Sequence, residues 1–113
     1  MRAPFSSRAN ELHASCACPA AQDPSNVVLI FSGSEPHKLD ELFGHLPVWL
    51  AAENGVLVRP PTPSGASTPA RGWKCLFDQV HRDWMESVQL VFDYFCERTP
   101  RSFVERRDTS LVW

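Results

Sequence analysis

The chain has 113 residues, enough for one small domain with a real core but too short for a large two-domain enzyme. With 11 basic against 13 acidic residues and a formal net charge of −2, it has no basic block to attract a nucleic-acid backbone or an anionic membrane. Its longest apolar run falls far short of a membrane span, and four irregularly spaced cysteines do not make a secreted disulfide framework; reduced thiols in the cytoplasm are the expectation.

Residues 1–25 read as a poorly structured N-terminal segment with a short helix closed off by Pro19 and Pro24. Cys16-Ala-Cys18 has no second ligand pair at zinc-site spacing, so no metal site is assigned there. The run Val27-Val28-Leu29-Ile30-Phe31, bounded by Asp23-Pro24-Ser25-Asn26 and Ser32-Gly33-Ser34, predicts a strand buried on both faces. A helix should follow it. Leu39, Leu42 and Phe43 fall on one helical face, Pro36 suits the first turn, Ser34 is a candidate cap and Gly44 a candidate stop. In open α/β sheets ligands sit beyond the carboxyl ends of the strands, which puts Ser32 and the amides of Gly33 and Ser34 where an anion would bind. Lys38 reads as a solubilising charge on the outer face of the helix.

Val48 to Ala52 and Val56 to Val58 flank Glu53-Asn54-Gly55. This pattern fits either a tight hairpin or a second parallel strand whose end carries Glu53 and Asn54 to the same edge as Ser32. Residues 59–72, with Pro60, Pro61, Pro63 and Pro69 among serines and glycines, read as an exposed, disordered linker. Beyond it, a helix from about Asp83 to Arg98 is expected, with Asp83 and Glu86 as a capping box and Trp84, Val88, Val91, Phe92 and Phe95 on a core-facing stripe. Pro100 stops it, and two strands around Arg106-Arg107-Asp108 should end the chain.

The order of these segments carries more information than any one of them. Val27–Ser34, Leu39-Asp40-Glu41-Leu42-Phe43-Gly44, Trp49–Gly55, Trp84–Val88, Phe92–Glu105 and Thr109–Trp113 together resemble the phosphatase domain of plant and algal trehalose-6-phosphate synthase/phosphatase proteins. The resemblance implies an α/β fold: a partial haloacid-dehalogenase-like Rossmannoid core (26–58) and the first part of an α/β cap (73–113). It implies phosphate and sugar contacts at Ser32, Gly33, Asn54, Glu105 and Arg107, with Asn54 standing where many active relatives have histidine and Arg107 where many have lysine.

The Asp-x-Asp nucleophile pair and the metal-binding acids of that family have no counterpart, so neither a catalytic residue nor a metal ligand is assigned. The expectation is an internal piece of a longer trehalose-biosynthesis protein, not catalytic alone. Mg2+ and an attached glucosyltransferase domain are implied for a complete member, and trehalose 6-phosphate as the ligand. The alternative is a non-catalytic sugar-phosphate-binding or protein-interaction module.

Overall fold

The computed structural model describes residues 19–63 and 72–113. The expectations for residues 1–18 and for the centre of the proline-rich stretch, 64–71, lie outside the described residues. Residues 19–22 are helical and lead through a turn at Asp23 into the first strand.

Two sheets form. The first has four strands in the order β1 (Leu29–Phe31), β2 (Trp49–Ala52), β3 (Leu57–Arg59), β4 (Lys74–Cys75). β1 and β2 run parallel, with Ile30 opposite Leu50, because the helix α1 (Pro36–Phe43) carries the chain back between them. β2 and β3 are antiparallel, with Ala51 opposite Val58, and so both readings of the Glu53-Asn54-Gly55 segment hold: it ends a parallel strand and also closes a hairpin. Lys74 and Cys75, beyond the proline-rich stretch, return to pair with Val58 and Leu57.

Helix α1 lays Leu39 and Phe43 on this sheet, where they join Leu46, Val48, Leu50 and Ala52 in one buried cluster, with Leu42 and Trp73 packed at its margin. Pro36 stands in the first turn as expected from its fixed φ and missing donor. The cap position belongs to Glu35, however, and not to Ser34, whose amide is held by Ser32 instead. Gly44 ends the helix in a right-handed conformation, without the left-handed turn that glycine usually supplies there.

The expectation that β1 is buried on both faces is overturned. Leu29 and Phe31 are 55% and 63% exposed, while Val28 and Ile30 pack on the core. A continuous apolar run permits two-sided burial, but α1 covers only one side of this edge strand, and the other lies in an open apolar groove bordered by Gly55, Val58 and Leu76.

The second unit contains α2 (Trp84–Cys96) and a two-stranded sheet, β5 (Glu105–Arg106) with β6 (Leu111–Val112), closed by an Arg107 N–H to Ser110 carbonyl bond of 2.9 Å. The capping box does not form, since Asp83 is itself helical and makes no side-chain cap bond. Nor is the aromatic stripe a core: Trp84, Val91 and Phe95 are exposed, and the buried residue of α2 is Met85.

Candidate functional site

Parallel pairing brings the end of β1 level with the end of β2. The Ser32 amide continues the ladder to the Ala51 carbonyl at 2.9 Å, and the Ser32 hydroxyl oxygen accepts from the Ser34 amide at 3.0 Å, bending the chain into a small loop. The next turn is sewn onto that loop from the other side: Asn54 N–H donates to the Ser32 carbonyl at 3.1 Å, and Glu53 N–H to the Ser34 carbonyl at 3.0 Å. Among the described residues nothing accepts from the Gly33 amide.

Three consecutive left-handed residues make this fit, with φ of 51° at Glu53, 58° at Asn54 and 89° at Gly55. Asn and Gly enter that region readily, whereas a glutamate there carries about 1 kcal/mol of strain or more. Gly33 is the point of closest approach. A Cβ there would stand 2.8 Å from the Asn54 side-chain oxygen and 2.9 Å from an Arg107 guanidinium nitrogen.

Arg107 arrives from the second sheet. Its Nη1 donates to the Gly33 carbonyl, and its Nε to Glu105 Oε1 at 3.2 Å. Lys38 Nζ reaches the same carboxylate oxygen at 3.3 Å and Glu35 Oε2 at 3.5 Å. The Arg107 hydrogen bond holds the Glu105 carboxyl below the usual glutamate range; the Lys38 contact adds to this, and desolvation opposes it.

All five residues singled out in the sequence, Ser32, Gly33, Asn54, Glu105 and Arg107, therefore belong to one connected network across the two sheets. Two further members have partners that the sequence reading did not foresee, although it had carried Glu53 to the same edge as Ser32. Lys38, taken for a solubilising charge, is half exposed yet bridges α1 to Glu105. Glu53 is 1% exposed, and its carboxylate accepts from the Thr109 hydroxyl at 2.7 Å and from the amides of Thr109 and Asp108 at 3.2 and 3.4 Å. The visible signal for the position of Glu53 was an acid set directly between a buried strand and an Asn-Gly turn.

Chemically the donors present suit an oxyanion. Arg107 uses two of its five N–H donors in these bonds, Lys38 adds a point charge, and the Ser32 hydroxyl and Gly33 amide belong to the loop that Arg107 meets. Mg2+ does not fit the described residues. Among the described residues no three His, Cys, Asp or Glu side chains converge as ligands, and the carboxylates of Glu53 and Glu105 are engaged by amides, a hydroxyl and cations.

Comparisons with known proteins place the chain in a family. Residues 20–113 match the model of the trehalose-phosphatase family. The chain is 43% identical over 91 residues to the Arabidopsis thaliana alpha,alpha-trehalose-phosphate synthase [UDP-forming] 1, covering 80% of this chain and 9% of that protein. To a trehalose-phosphatase of Schizosaccharomyces pombe it is 31% identical over 94 residues, covering 82% and 10%.

The structure of the C. albicans trehalose-6-phosphate phosphatase C-terminal domain superposes with a TM-score of 0.69 at 29% identity, over 81% of this chain and 29% of that one. The chain thus spans about a tenth of the curated relatives it matches. With the mixed α/β fold and these matches in agreement, the chain belongs to the trehalose-phosphatase family and carries part of its haloacid-dehalogenase-like domain.

Proposed function

We propose that this chain is the part of a trehalose-phosphatase domain that holds the phosphoryl group of trehalose 6-phosphate, and that it binds the ester weakly without hydrolysing it alone. The observation that carries the reading is the meeting of Ser32, Gly33 and Asn54 at one sheet edge with Arg107 from the other sheet. A phosphate monoester near pH 7 carries close to two negative charges and three acceptor oxygens. It would take donors from the Ser32 hydroxyl and Gly33 amide and draw Arg107 and Lys38 toward itself. Glu105, released from those two cations, could then accept from a sugar hydroxyl.

Residues 26–58 serve on this reading as the partial core and 73–113 as the first part of the cap, with Lys74–Cys75 reaching back to the core sheet. Hydrolysis would need a carboxylate free beside Ser32. The first aspartate of the sequence, Asp23, is held by Ser25, and Asp40 is engaged by Arg59 and Trp73. On this reading Mg2+ belongs to complete members of the family. The sequence expectation of a cytoplasmic setting is kept as part of this reading, and the synthase relatives support an attached glucosyltransferase domain in a longer parent.

Titration calorimetry on the 113-residue chain tests the reading. Millimolar trehalose 6-phosphate should give a binding isotherm that Ser32→Ala weakens several-fold, trehalose should give none, and added Mg2+ should release no phosphate. An absence of heat at millimolar ester refutes the binding, and turnover above the Ser32→Ala level refutes the claim of inactivity.

A further inference from the structure

Glu53 is the buried carboxylate that the phosphate reading leaves without a task. A charge this deeply enclosed is tolerated only when its lone pairs are met by donors. Its donors are the Thr109 hydroxyl and the Thr109 and Asp108 amides, all in the turn between β5 and β6. Its main chain faces the other way, with the Glu53 amide donating to the Ser34 carbonyl.

One residue thus grips the cradle loop through its backbone and the hairpin through its side chain, and its φ of 51° aims it at both. Outside this, Arg82 fastens the same turn through the Asp108 carbonyl at 2.9 Å and carboxylate at 2.7 Å, but that contact is exposed and weaker in water.

We propose that Glu53 is a positioning residue that latches the β5–β6 hairpin onto the Ser32 loop, so that Arg107 stands over the place where a phosphoryl group would sit. The functional consequence rests on the phosphate reading above; the latch itself does not. With the latch released, Arg107 and Glu105 move away with the hairpin, and anion affinity falls although no residue facing the anion has changed.

Hydrogen exchange on the full chain, without ligand, measures the latch. Thr109→Val and Glu53→Gln should each speed exchange at the Asp108 and Thr109 amides about tenfold, the double variant no further, and Thr109→Ser should restore protection. The Leu50 and Ala51 amides in the central strand should stay as they were. Should Glu53→Gln fail to fold, the Thr109 pair decides alone.

Unchanged exchange in Thr109→Val, or fully additive effects, overturns the latch. In calorimetry with trehalose 6-phosphate, Thr109→Val should bind about tenfold more weakly and Thr109→Ser like the parent. Equal affinity for Thr109→Val and the parent overturns the positioning role. If the parent itself does not bind, the phosphate reading falls while the exchange result still stands for the latch.

Discussion

The two units of this chain are held together by different means. In the first, Leu39, Phe43, Leu46, Val48, Leu50 and Ala52 form a closed apolar cluster between α1 and the sheet. In the second, α2 buries Met85 while Leu90, Val91, Tyr94 and Phe95 remain open. The hairpin beside it is fixed by polar contacts to Glu53, Gly33 and Lys38. Hydrophobic burial therefore builds the platform, and hydrogen bonds and ion pairs place Glu105 and Arg107 upon it.

That contrast can be broken by matched truncations. Leu50→Ala in the fully buried strand should lower stability by about 3 kcal/mol, since it leaves a cavity in a packed cluster. Phe95→Ala removes a larger side chain that is half exposed, and should change stability by less than about 1 kcal/mol. Urea unfolding of both variants decides it; equal losses would mean that the second unit has a core of its own.

A smaller effect sharpens the polar half of the comparison. The folded-state pKa of Glu105 lies below its unfolded value, chiefly through Arg107. Its contribution to stability, made mainly within the hairpin through Arg107 and to a lesser extent across to Lys38, is therefore complete above the ordinary carboxylate range and is lost as pH falls through the lowered folded value. In a carbon-detected NMR titration, the Glu105 midpoint should lie below that of an unperturbed glutamate and rise in Arg107→Met. A midpoint indifferent to that substitution would remove Arg107 as the cause.

The strand-loop-helix unit was legible because its signals are local: an apolar run, a Ser-Gly-Ser turn, Pro36, and Leu39 with Phe43 at helical spacing. Ser32 fell at a strand end for the same reason. The aromatic stripe of α2 misled, because periodicity records which face is apolar and not whether anything covers it. β1 misled likewise.

Glu105 and Arg107 were legible only through the family resemblance, since nothing in their neighbourhood announces a partner in the first sheet. The sequence reading carried Glu53 to the edge of Ser32 and left Lys38 as a surface charge; the contacts of both were not foreseen because their partners lie 56 and 67 positions away and are brought near only by the topology. The burial of Glu53 had no local signal, since glutamate is mostly exposed and is enclosed only where partners meet its carboxylate.

The central claim is that one anion-holding site is assembled from both sheets, and amide chemical-shift mapping tests it most directly. On addition of trehalose 6-phosphate to the labelled 113-residue chain, the signals of Ser32, Gly33 and Asn54 and that of Arg107 should shift together along one saturating curve. Unphosphorylated trehalose at the same concentration should leave them in place. Shifts confined to one sheet, or the same shifts with trehalose alone, would contradict the account.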